Sequence, residues 1–177
     1  MADQSNFELM ATYNQWMNNK VYASASQLSD ELLNKDRGAF FGSISGTLNH
    51  ILVGDRIWFK RFAQHEHVFK SLNYVRGLSK PESLSEILYS RFCELTKARK
   101  AMDKAIVQFS SELEHHHLAT SLSYCNTTGE LFTKPFSSLL QHVFNHQTHH
   151  RGQVTTMLSQ SGLDVGCTDM LACITGE

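Results

Sequence analysis

Apolar side chains recur at a helical period in four long stretches of this chain, separated by polar and glycine-containing breaks. The first stretch runs over about residues 7–25, with Leu9, Met10, Tyr13, Trp16, Met17 and Val21 on one side. A second follows the break at Gly42, over about 43–64, and carries Ile44, Leu48, Ile51, Leu52, Trp58 and Phe62. The third starts after Ser79-Lys-Pro-Glu-Ser83 and continues to about residue 113, with Leu84, Ile87, Leu88, Phe92, Leu95, Met102, Ile106 and Phe109. The fourth begins near Pro135 and stops at Ser161-Gly162. Pro81 and Pro135, the two prolines, both stand where a helix can start.

Four amphipathic helices with no strong strand runs between them predict an all-α domain, a four-helix bundle spanning residues 1–177. Residues 65–82 are long enough for a crossover that lets helices two and three run parallel, an up-down-down-up order. Residues 118–134 alternate apolar and polar on either side of Asn126-Thr-Thr-Gly129, which predicts a short hairpin before helix four. The tail from Leu163 to Glu177 is mildly apolar and suits either a cap on the bundle or a partner subunit.

Composition narrows the class. The formal charge is −1, with 19% charged and 41% hydrophobic residues, as expected of an ordinary soluble domain. Basic residues form no stripe, so neither nucleic acid nor a membrane surface is the expected partner. No apolar run approaches the ~18 residues needed to span a bilayer, and the first residues do not resemble a signal peptide. Cys93, Cys125, Cys167 and Cys173 contain no C-x-x-C and suggest reduced thiols in a cytoplasmic protein.

Histidine is the residue type that stands out, with 10 copies. In helix four, His142, His146, His149 and His150 offer two pairs at i,i+4, and either pair could share one metal ion. Projected at 100° per residue against Phe136, Leu139, Val143, Val154 and Met157, His150 falls near the centre of the apolar stripe. His146 falls roughly 60° off it, and His142 and His149 further still. The inward pair is therefore 146/150. Two inward imidazoles on consecutive turns are hard to satisfy with hydrogen bonds alone, whereas a metal satisfies both.

A third ligand would come from a facing helix. His50 is the one histidine deep inside apolar helix two, although projection turns it toward Val53 and Ile57 rather than the main stripe. Gly54, one turn on, would leave room beside it. Asp55 projects into the apolar stripe and reads best as half of a buried ion pair with Arg151 or Arg56. His115, His116 and His117 diverge and read as partners of a helix C-terminus, and His65 and His67 as solvated residues of a connection.

Tyr13-Asn-Gln-Trp16, Leu48-Asn-His50, Asp55-Arg-Ile-Trp58 and His146-Gln-Thr-His-His150-Arg-Gly-Gln153 together resemble the DinB/YfiT-like family of metal-dependent four-helix-bundle proteins, over nearly the whole chain. The last block looks like the family's H-x-x-x-H-R-G-Q pattern. The resemblance implies a metal site of His50, His146 and His150, holding one divalent ion, zinc or nickel, and it implies a homodimer.

It also implies an enzyme in which the ion lowers the pKa of a thiol or water, giving thiol transfer or isomerisation, or hydrolysis, of a small-molecule substrate. A low-molecular-weight thiol is the expected cosubstrate. No residue is named as general base; Asp55 and His149 are the speculative candidates. The rival reading is a non-catalytic metal-binding protein whose ion is structural, a sensor or a store.

Overall fold

The computed structural model describes residues 4–174. Residues 1–3, at the start read for a leader, and 175–177, the end of the apolar tail, lie outside the described residues. Among the described residues the protein is mostly helical, with one small antiparallel sheet. Four long helices dominate: α1 (Gln4–Ala25), α3 (Ile44–Phe62), α5 (Phe92–Glu112) and α7 (Phe136–Ser159). Short helices α2 (Asp30–Asn34), α4 (Asn73–Arg76) and α6 (His115–Leu118) stand in the connections. Helix α1 packs against α5 and α7, and α3 against α7 and α5, so each long helix buries its apolar stripe between two others. None of the described helices is long and apolar enough to cross a membrane.

Helix α3 starts where the sequence break predicts. Ser43 caps it, its hydroxyl accepting from the Gly46 amide at 3.0 Å. The predicted hairpin forms from β1 (Ser121–Cys125) and β2 (Leu131–Pro135), with Tyr124 opposite Phe132. Its turn is closed by Asn126, whose Oδ1 accepts from the Thr128 and Glu130 amides at 2.9 Å, and by Gly129 at φ 89°.

The third helix differs from expectation. It begins at Phe92, not near Pro81, and Leu84 and Ile87 are about half exposed. Polar side chains of α3 hold the backbone of 78–89 in place of helical hydrogen bonds. Asn49 donates to the Tyr89 carbonyl at 3.2 Å and accepts from the Tyr89 amide at 3.0 Å. The Lys60 ammonium donates to the carbonyls of Val75, Arg76 and Leu78. Periodicity cannot register such a capture, because the captured groups are main-chain atoms.

A polar knot ties the four long helices at mid-height. Asp55 on α3 and Asp103 on α5 flank Arg99, with Arg99 Nη2 2.8 Å from Asp103 Oδ1 and Nη1 bonded to Asp55 Oδ2. Asn18 of α1 donates to Asp103 at 2.9 Å, Gln147 of α7 donates to Asp55 at 2.6 Å, and Arg151 donates to Asn14. All seven side chains are buried. Asp55 is thus in an ion pair, as its burial requires, but its arginine is Arg99 rather than Arg151 or Arg56.

His65, expected near solvent, and His117, read as a partner of a helix C-terminus, are both buried. His65 Nε2 donates to Thr120 Oγ1 at 2.9 Å, while its Nδ1 accepts from the His67 amide. His117, 2% exposed, accepts the Glu114 amide on Nδ1 as half of a capping box that starts α6, rather than ending α5. Burial lowers the pKa of both rings. His116 and His67 lower His117 further while Glu114 opposes, and Glu66 opposes at His65, where His67 and His116 add to the lowering.

The folded state therefore binds fewer protons than the unfolded state below the ordinary histidine value. Stability is full above that value and is lost as pH falls through the lowered folded values. His117→Asn keeps an acceptor for the Glu114 amide and removes one titrating ring. Its melting temperature should fall less than the wild type's between pH 7 and 5, and equal losses would contradict this account. Comparing the two proteins cancels the contribution of the other histidines.

Candidate metal centre

Three imidazoles converge where α3 faces α7. His50 Nε2 lies 3.0 Å from His146 Nε2 and 3.2 Å from His150 Nε2, and among the described residues these three form a group able to hold one ion. Nitrogens bound to one ion at about 2.0–2.1 Å stand about 3.3 Å apart in a tetrahedron and about 3.0 Å apart at adjacent octahedral corners. The observed separations suit either arrangement. Thus the inward pair read from helix four and the histidine implied by the resemblance meet at one point. His142 and His149 are exposed, as their projection indicated.

The tautomers suit the cluster to a cation. His50 Nδ1 faces the Leu84 carbonyl at 2.8 Å, and a carbonyl only accepts, so Nδ1 carries the proton. His150 Nδ1 faces Gln153 Oε1 at 2.8 Å and is protonated in the same way. Both Nε2 atoms are then bare lone pairs, aimed at each other across 3.2 Å. Such an arrangement repels unless a positive centre lies between, and a divalent ion with imidazole ligands supplies one.

Protons do not serve well here. Burial lowers the pKa of all three rings, and His146, with His150 and His50 beside it, drops to about 3. The neutral imidazoles are thus ready to ligate at physiological pH.

Local structure sets each ring. The Leu84 carbonyl is available because 78–89 is not a helix, so the departure from the predicted third helix is what orients His50. The Phe41 ring stacks on His50 with centroids 3.6 Å apart and meets His150 edge-on at 5.5 Å, shielding one side. Gly54 leaves room as expected, and the His146 ring fills it: a Cβ there would stand 2.7 Å from His146 Cε1. Gly54→Ala should push that ring aside and weaken metal binding at least about tenfold, as loss of an outer support does. Calorimetric titration with zinc checks it, and an unchanged affinity would contradict the assigned geometry.

On the other side the cluster opens into a cleft of about 290 Å³, walled by Trp58, Arg61 and Leu84 and by Tyr124 of the hairpin. Sequence reasoning placed Trp58 in the core and gave Tyr124 no role. Nothing in one-dimensional periodicity brings a hairpin over the outer turns of α3. Asp55 is fully buried between Arg99 and Gln147, and His149 points to solvent with a long contact to Gln153.

The fold is helical and brings three histidines from two facing helices together in a group able to hold a metal ion. The DinB family model matches residues 1–177, so the chain belongs to the DinB family. The chain is 28% identical to "Protein DinB" of Bacillus subtilis (strain 168) over 158 residues, 89% of this chain and 87% of that protein. No solved structure matches it.

Proposed function

We propose that the protein is a metal-dependent enzyme that activates a thiol, or alternatively water, at His50, His146 and His150 and acts on a small molecule. The observation that carries this reading is the pair of unprotonated Nε2 atoms facing each other at 3.2 Å beside an open cleft. A divalent ion there, zinc or nickel, would lower the pKa of a thiol or water that it binds. Leu84 O and Gln153 Oε1 hold the Nδ1 protons of His50 and His150 and so fix both rings. Phe41 keeps water from the face of His50, and Gly54 admits His146. Transfer of a low-molecular-weight thiol to an electrophilic carbon is favoured over hydrolysis, because zinc with imidazole ligands binds sulfur well.

The fuller reading is an up-down-down-up four-helix bundle with α3 and α5 parallel, acting in the cytoplasm as a homodimer. Leu171 and Ile174, exposed on the tail beside α1, support the dimer. A monomeric mass by light scattering at micromolar concentration would remove it. The activity test is a panel of small thiols with electrophiles, together with esters and amides, on the metal-loaded protein. Metal-dependent conjugation supports thiol transfer, and ester or amide cleavage supports hydrolysis. Turnover that survives full metal removal would overturn both.

A further inference from the structure

The cleft continues away from the histidines into a second cavity of about 270 Å³, and Arg61 lines both. Its guanidinium lies against two aromatic rings that meet edge-on, 4.5 Å from the Trp58 centroid and 4.7 Å from that of Tyr124. One nitrogen, Nη2, donates to the Cys125 carbonyl at 2.9 Å, and no other hydrogen bond of this side chain is seen among the described residues. A guanidinium has five N–H donors, so most of its capacity remains for a ligand. Burial lowers the Arg61 pKa from its ordinary value, with Tyr124 and Cys125 opposing, yet an arginine so placed stays charged.

The neighbouring charges are not equivalent. Lys60 is committed to three main-chain carbonyls, while Lys80 is exposed on the wall of the second cavity, which Glu82 also lines.

We propose that Arg61 is the receptor for an oxyanion arm of the substrate, with Lys80 assisting, at the far end of the cleft from the reacting atom. This rests on the reading of the histidine cluster as the reacting end. The spacing fixes the ligand's length. Gly54, against which His146 packs, Trp58 and Arg61 lie on successive turns of one face of α3, so from Gly54 to Arg61 is about 10 Å along the axis. The ligand class is therefore an extended molecule with a thiol or electrophile at one end, an apolar or flat middle against Trp58 and Tyr124, and a carboxylate or phosphate at the other. A planar fork suits either anion by paired hydrogen bonds.

Calorimetric titration of the zinc-loaded protein with 8-mercaptooctanoate, 8-mercaptooctylphosphonate and 8-mercaptooctanol tests it. Both anions should bind about tenfold more tightly than the alcohol, as a charge-assisted hydrogen bond in a desolvated site allows. The tighter of the two anions tells a carboxylate from a phosphate source. Arg61→Gln should erase the preference for anions and leave the alcohol unchanged. Arg61→Lys should keep part of the preference, and Lys80→Gln should cost about twofold to threefold. Mercaptoacetate, too short to reach, should be indifferent to Arg61→Gln.

Equal binding of anions and alcohol by the wild type overturns the proposal and needs no variant. So does Arg61→Gln weakening all three ligands alike, which is what a purely structural role through the Cys125 carbonyl would give. Octanoate titrated into metal-free protein separates the two readings. Binding that depends on Arg61, with no gain for the thiol on zinc loading, keeps the anion site and removes the thiol-activating one. Zinc-dependent thiol binding without an anion preference does the reverse.

Discussion

Replacing His146 and His150 together by alanine should take the protein from about one bound divalent ion per chain to none. The cluster has three imidazole donors within reach of one another, and His50 alone is a single ligand among the described residues. One imidazole does not hold zinc or nickel against water, whereas three ligands make a standard open site. Alanines at His115, His116 and His117 are the matched control. They should leave metal content unchanged, because those rings lie at α6 and take no part in the cluster, although losing the buried His117 will cost stability. Elemental analysis after gel filtration decides it. Metal retained by the double variant would refute the assigned ligands.

The largest loss of stability should come from the polar knot rather than from the metal. Asp55→Ala leaves the fully buried Arg99 with Asp103 alone and strips the Gln147 amide of its acceptor. Breaking a buried ion pair from one side costs about 3–5 kcal/mol, which for a domain of this size lowers the melting temperature by about 6–20 °C. Asp55→Asn keeps the shape but removes the charge that faces Arg99, so it should destabilise as well. Glu94→Ala, which removes the exposed pair with Arg91, should change the melting temperature little. Thermal unfolding of metal-free protein, followed by helical circular dichroism, makes the comparison independent of the ion. Equal shifts for Asp55→Ala and Glu94→Ala would show that the knot is not what ties the helices.

The sequence carried the metal pair well and its surroundings poorly, for one physical reason. His146 and His150 are four apart on a strongly periodic helix, so their shared face is a property of α7 alone. Gln147 and Arg151 belong to the same helix, but Gln147 drew no reading and Arg151 was read only as a partner for Asp55. They are buried only because Asp55 and Asn14, on other helices, receive them. Arg99 was missed as the partner of Asp55 because pairing between α3 and α5 is not encoded in either helix's own pattern.

The error over 79–91 has the same origin. Leu84, Ile87 and Leu88 have helical spacing, but Asn49 and His50 bind main-chain groups at Tyr89 and Leu84, and periodicity does not see the main chain. The hairpin was readable from local alternation and its Asn-Thr-Thr-Gly turn. That it would lay Tyr124 beside Trp58 and Arg61 was not.

The central claim is that three histidines present one divalent ion to an open cleft. X-ray absorption spectroscopy of protein loaded with zinc, and separately with nickel, tests it most directly when read with and without an added small thiol. The account predicts three imidazole donors, the remaining positions held by exchangeable light atoms, and a sulfur donor that appears when thiol is added. A shell completed by a fourth side chain, such as Asp55 or His142, and unchanged by thiol would contradict it and leave a closed, structural site.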